Sequence, residues 1–227
     1  MKFIIIGLGN FGAALAEKLS HKGHEVIGID ANLNKVEALK TKITHVVAID
    51  CTDLAALNTL PVKEADVVVV AIGEDFGASI LITAQLKQLN VKRLVSRALS
   101  PLHQNILEAI GVSEILHPEE DSAQRFTEVF ELNGLIDVFS IYDKHKVVEL
   151  DIPKRYVGMR LGETDIRKRF NLNVLTIIKQ VQKKNIFGQF QLRQDVSDYV
   201  SADTIFADDD IIVVFGKSGD VKKFVDD

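Results

Sequence analysis

The chain has 227 residues, 47% of them hydrophobic and 26% charged, with a net charge of −5. That length suits one domain of about 140 residues and a smaller one, and the acidic balance excludes a general nucleic-acid binder, whose footprint is basic. The single cysteine, Cys51, rules out an internal disulfide and a thiolate metal site. No apolar run reaches the roughly 20 residues of a membrane span, and Lys2 followed only by Phe3 to Ile6 and a glycine is too short for a signal peptide, so a cytosolic protein is expected.

In chain order, KFIII, HEVIGID, HVVAID, DVVVVAI, RLVSR and EILH read as strands separated by amphipathic or Ala/Leu-rich helical segments. Six strands alternating with helices over residues 1–117 predict an α/β fold with a doubly wound parallel sheet. The uninterrupted apolar run after Asp66 marks a central strand covered on both faces. The first strand runs directly into GLGNFG and a helix, the Gly-x-Gly-x-x-Gly spacing of a dinucleotide-binding turn. Gly7 would make the sharp turn, Gly9 would let the backbone approach a pyrophosphate, and Gly12 would pack helix against strand, with Asn10 and Phe11 at the phosphate end of the helix.

Asp30 ends the second strand, where a carboxylate accepts ribose hydroxyls and repels a 2′-phosphate, favouring NAD or an adenine mononucleotide over NADP. The same residue could instead cap the turn DANLNK, in which Asn32 lies. Asp50 closes the third strand at the adenosine edge, although it competes with Asp53 for the N-cap of the next helix, and Cys51 reads as a reduced, buried small residue. Ala71, Ile72, Gly73 and Glu74 end the fourth strand, at the crevice where ligands bind in such sheets. Arg97 ends the fifth, as a phosphate-facing cation or a solvated strand end.

The segment from Pro118 to Leu132 has proline and acids at its start and apolar residues at helical spacing, which predicts a long helix. Past Gly134 the pattern becomes short strands: DVFSIY, KVVELDIP, a helix over GETDIRKRF, a strand over NVLTIIKQV, a polar connection, IIVVFG and a final short helix. The expected organisation is a nucleotide-binding domain over 1–117, a linking helix over 118–134 and a small α+β domain over 135–227.

Catalytic patterns are sparse. Tyr142 and Lys146 have the spacing of a dehydrogenase Tyr-x-x-x-Lys pair but fall in an apparent hairpin, SIYDKHKVVEL. The six histidines read as surface or capping residues, the phenylalanines mostly as core, Arg167 to Arg169 as a solvated helix face, and Asp208 to Asp210 as a turn. Neither a Gly-x-Ser-x-Gly elbow nor a Walker lysine is present.

The ordered set GLGNFGAALAEKL, ID, AIDCTD, AIGEDFGAS, HQNILEAIGVSEILHPEED, VVELDIPKRYVGMRLGETDIRKRFNLNVLTIIK and DDDIIVVFG resembles the RCK (KTN) regulatory proteins of the TrkA and KtrA type. The resemblance implies a Rossmann domain binding ATP, ADP, AMP or NAD(H), a helix crossing to a partner subunit, and a C-terminal domain that pairs. It further implies homodimers assembling into a tetramer or an octameric ring under a membrane potassium channel or transporter of the TrkH/KtrB type. Such a protein lies at the inner face of the membrane and regulates without turnover; a small NAD-dependent oxidoreductase is the alternative. Carried over, Gly7, Gly9 and Gly12 face phosphates, Asp30 the ribose, and Asp50 and Cys51 the adenosine. Glu119 would reach a cation, Mg or Na, at a phosphate. Asn10 stands where ATP-sensing members often have Arg, which weakens the case for ATP. Arg167 and Asn173 match positions that bind cyclic di-AMP in some members, with Leu172 in place of a histidine.

Overall fold

The fold is described by a computed structural model for residues 1–184 and 190–227. The chain divides into two compact units, Met1–Glu120 and Asp121–Asp227.

The first unit contains β1 (Lys2–Ile6), α1 (Asn10–His21), β2 (Glu25–Asp30), α2 (Leu33–Glu37), β3 (His45–Ala48), α3 (Leu54–Leu57), β4 (Val67–Val70), α4 (Phe76–Gln88), β5 (Leu94–Arg97), α5 (Pro101–Ala109) and β6 (Glu114–Leu116). The strands form a parallel sheet in the order β3-β2-β1-β4-β5-β6, as the alternating pattern predicts. Because side chains alternate across a strand, Ile4, Ile6, Val68 and Val70 pack into one core on one face, while Ile5, Val67 and Val69 pack into a second core on the other. With both faces buried, β1 and β4 stand side by side in mid-sheet, where the winding reverses and the strand ends diverge.

Two glycines hold this region close. Gly7 takes φ +96°, and a Cβ there would lie 2.9 Å from the Ile72 nitrogen. A Cβ on Gly12 would come within 1.9 Å of the Gly7 carbonyl oxygen, so α1 can lie against the turn only without a side chain. His103 departs from its surface expectation. It is fully buried on the apolar face of α5, tilted against Phe76 at 4.6 Å, and its Nδ1 accepts from the Leu99 amide at 3.3 Å. Burial lowers its pKa.

The helix α6 (Pro118–Glu131) begins at the end of the first unit and continues into the second. The rest of that unit is β7 (Leu135–Tyr142), β8 (His145–Asp151), α7 (Ile166–Phe170), β9 (Asn173–Lys184), β10 (Phe190–Val196), β11 (Ile211–Lys217) and α8 (Ser218–Asp226). Its antiparallel sheet has the order β10-β9-β11-β8-β7. Val148, Leu150, Ile177, Ile212 and Val214 form the core with Phe170 and Phe224, which meet edge to face at 5.4 Å.

Three expectations change in this unit. The polar connection contains the strand β10, paired antiparallel with β9; residues 185–189 of that connection lie outside the described ones. The helix over GETDIRKRF is α-helical only from Ile166, because Asp165 takes φ +49° and Leu161–Glu163 makes a 3-10 turn instead. Among the phenylalanines, Phe126, Phe130 and Phe139 are exposed.

Along α6, Arg125 makes a two-pronged contact with Asp137 at 2.5 and 2.9 Å, and Glu128 meets Lys146 at 2.5 Å. Val129 and Leu132 pack partly against the second-unit core, yet no residue of the helix is buried. Among the described residues, no helix is long and apolar enough to cross a membrane.

Gly12→Ala should cost about 1–3 kcal/mol of stability through overpacking, read as a lower urea midpoint at unchanged slope. The Arg125 contact, first among its causes, holds the Asp137 carboxyl below its usual value. Such a depressed carboxylate stabilises the fold above its unfolded pKa, and that contribution is lost as pH falls through the folded pKa. In Arg125→Ala the Asp137 titration, followed by NMR, should therefore move up toward about 3.9, with only a small change in acid stability because the pair is half-exposed.

Candidate functional site

A crevice of about 560 Å³ opens at the carboxyl ends of β1 and β4. It draws its wall from the glycine turn, the ends of β2, β3, β4 and β5, and Glu119. Of the residues singled out in the sequence, Gly7, Gly9, Asn10, Phe11, Asp30, Asp50, Cys51, Ala71, Ile72, Gly73, Glu74, Arg97 and Glu119 all line it. Gly12 and Asn32 do not: Gly12 sits in the packing contact behind the wall, and Asn32 Oδ1 caps α2 by accepting from the Asn34 amide at 2.9 Å.

The helix α1 starts at Gly9, with no side-chain cap and no acidic residue in its first turn. Its leading amides have no intrahelical acceptors and carry the positive end of the helix dipole, which suits an anion. A Cβ on Gly9 would meet nothing within 4 Å, so no packing constraint inside the chain calls for glycine at this position. The bare backbone leaves open space for a group in the crevice.

Asp30 makes the structural contacts of a turn residue and also lines the crevice. Its Oδ2 accepts from the Leu8 amide at 2.7 Å and its Oδ1 from the Asn32 amide at 2.8 Å, so it ties the glycine turn to the turn before α2. Each carboxylate oxygen has a further lone pair, and Asp30 still faces the crevice. Asp50 does not cap α3. Asp53 does, accepting from Ala55 at 2.9 Å. Asp50 Oδ1 accepts from the Thr52 hydroxyl at 2.7 Å and amide at 2.9 Å, and these bonds lower its pKa. Burial, with the Asp50 and Asp30 charges next, pushes the Cys51 thiol up to about 12.

Arg97 is not a solvated strand end. Its side chain is 12% exposed and paired through Nη2 with Glu119. Nη1 is 3.4 Å from the Ala71 carbonyl, and the guanidinium lies 5.7 Å from the Phe11 ring centre. Gly73 makes this possible, since a Cβ there would come 2.6 Å from Nη1.

Sequence reading did not single out Ile6, Ala31, Lys35, Ile49, Thr52, Asp75, Ala78 and Ile82 as lining residues. Most simply neighbour residues it did. Lys35 is the substantive omission: from α2 it reaches Glu74 at 3.3 Å, so the two join opposite walls. Its position, shortly after the ribose-type aspartate on a helix of only five residues, was the available signal.

The charge of the lining follows. Asp30, Asp50, Glu74, Asp75 and Glu119 face Lys35 and Arg97, leaving three carboxylates uncompensated. A highly charged anion would need an added cation in such a site. Among the described residues no three His, Cys, Asp or Glu cluster as a metal site, so a cation beside Glu119 would take its other ligands from water or a bound phosphate.

In the second unit, Arg167 and Asn173 line a separate groove of about 370 Å³, with Leu172 buried beside them. Tyr142 and Lys146 do not stack on a helix. Tyr142, 82% exposed, ends β7 across a tight turn at Asp143 from β8, and Lys146 is held by Glu128.

Comparison with known proteins agrees with this architecture. Residues 3–118 match the TrkA-N domain family. The chain is 32% identical over 223 residues to the Ktr system potassium uptake protein C of Bacillus subtilis (strain 168), covering 98% of this chain and 95% of that one. It superposes on the GsuK RCK domain with a TM-score of 0.67 at 16% identity, over all of this chain and 48% of that one, and on the GsuK channel bound to NAD with a TM-score of 0.64 at 17% identity, over 98% and 38%. These likenesses, the sequence match foremost, place the chain in the TrkA-N family, among the RCK-domain regulatory proteins of the TrkA and KtrA type.

Proposed function

We propose that the chain is a regulatory subunit that binds an adenine nucleotide in the β1/β4 crevice and passes its occupancy to a membrane potassium channel or transporter. The observation that carries this reading is the pairing, in one crevice, of the unobstructed α1 N-terminus at Gly9 with the Asp30 carboxylate. That pairing offers a site to the phosphates and another to the ribose. The Bacillus relative is a potassium uptake protein, which supplies the transport context, and one structural neighbour, the GsuK channel, is bound to NAD.

The lining charge favours NAD(H), ADP or AMP over ATP in the absence of a divalent cation, and Asn10 adds no positive charge to offset a third phosphate. Mg or Na, shared between a phosphate and Glu119, would reduce that penalty. Homodimers, built into a tetramer or octameric ring, would cover α6, which has no buried residue of its own and exposes 81% of Phe130. Cyclic di-AMP is the ligand proposed for the Arg167 and Asn173 groove, and a partner of the TrkH/KtrB type would hold the protein at the inner membrane face. In this reading the protein regulates without turnover, in keeping with Tyr142 and Lys146 lying on two strands about a turn and not stacked on one helix, with Lys146 paired to Glu128.

Isothermal calorimetry tests the binding step. NAD(H) and ADP should bind more tightly than ATP in EDTA, with the gap narrowing when Mg is added, and Gly9→Asp should abolish binding at an unchanged melting temperature. A nucleotide can switch a shape only if it binds two shapes unequally, so ligands that bind must also give distinct solution scattering profiles. Identical profiles would remove the regulatory reading.

A further inference from the structure

The crevice contains one cation that is almost fully buried, and that cation already has an anionic partner. Arg97 is enclosed by the Phe11 ring, by the Ala71 carbonyl and by Gly73, whose missing side chain provides its space. Its Nε is buried without a hydrogen-bond partner among the described residues. The donor capacity of the guanidinium therefore exceeds what Ala71 and Glu119 supply, and a group with several oxygens would use it better.

The two members of the Arg97–Glu119 pair differ in their freedom. Arg97 is 12% exposed and must keep a partner, because a buried charge left alone is costly. Glu119 is 63% exposed and can be solvated in place. Anything that competes for the guanidinium should therefore displace the carboxylate and leave the arginine where it is. Both residues line the crevice proposed to hold the nucleotide phosphates.

We propose that Arg97 exchanges counter-ions: a ligand phosphate takes the guanidinium from Glu119, and the displaced Glu119 unties the first turn of α6. The inference rests on the nucleotide reading of the crevice and adds to it how occupancy would be felt outside the crevice. Glu119 is the second residue of α6, so the exchange removes a tether from the start of that helix. The exchange describes Glu119 in the absence of a cation, the condition opposite to that in which it would share Mg or Na with a phosphate. As a competitor it weakens phosphate binding; as a ligand to a phosphate-bound cation it would strengthen it. By linkage, Glu119 weakens phosphate binding by the same factor as the phosphate weakens the Glu119–Arg97 pair.

The full chain, its Glu119→Gln and Arg97→Ala variants, and Arg97→Lys are compared in EDTA by calorimetry against ADP and adenosine. Adenosine lacks a phosphate, so the ratio of ADP to adenosine affinity isolates the exchange. That ratio should rise about 5-fold or more in Glu119→Gln and fall at least ~10-fold in Arg97→Ala. Arg97→Lys should give an intermediate value, because it keeps the charge but loses the fork, and it serves as the reading should Arg97→Ala not fold. Hydrogen exchange over 118–131 should speed up when ADP, but not adenosine, binds the wild-type chain, and in Glu119→Gln it should be fast from the start. A fall in the ratio in Glu119→Gln, or no change, overturns the exchange while leaving nucleotide binding intact. Failure of the wild-type chain to bind either compound overturns the nucleotide reading itself.

Discussion

The site depends on the Asp30 carboxylate. With one oxygen on the Leu8 amide and the other on the Asn32 amide, it joins the glycine turn to the turn that follows β2. Neither turn belongs to regular secondary structure, and each would otherwise be free to choose its own conformation at an entropic gain. Joined, they hold the α1 N-terminus, the end of β2 and the start of α2 in one frame. Lys35 then reaches across from α2 to Glu74, and Phe11 lies where it can face Arg97. A residue read from sequence as either a ligand contact or a structural cap makes the structural bonds and also lines the crevice.

Close approach without side chains is the second constraint. At Gly12 the missing Cβ lets α1 lie on the turn, at Gly73 it makes room for a guanidinium, and at Gly9 it leaves space that none of the described residues fills. The three positions look alike in the sequence, yet the first serves packing, the second makes room for a charge and the third leaves open space in the crevice. The same molecule closes its second unit by ordinary means, with an antiparallel sheet and an aromatic core around Phe224.

Much of this was legible in the chain because the governing signals are local. Strand runs such as DVVVVAI and the Gly-x-Gly-x-x-Gly turn announce a parallel sheet and its crevice, and most residues expected at the site do line it. What could not be read depends on distant partners. Lys35 gains significance only from Glu74, and Arg97 from Glu119 and Gly73. His103 is buried because its face of α5 turns inward, while its apolar neighbour Leu102 is the one left exposed, an inversion the local sequence does not reveal. The strand β10 went unread because Gln191, Arg193, Gln194 and Asp195 outweigh the alternation of Phe190 and Leu192. Asp165 and Asn171, both at positive φ, shorten α7 from either end, and neither carries the glycine that usually signals such a break.

The Cys51 thiol in the crevice wall has carboxylates for neighbours. Oxidants attack the thiolate, and a thiol pushed up to about 12 by burial and by the carboxylates at its side is almost entirely protonated at neutral pH. The cysteine is thus a neutral, weakly nucleophilic part of the wall, and the carboxylates that give the crevice its acidic character also disfavour a thiolate within it.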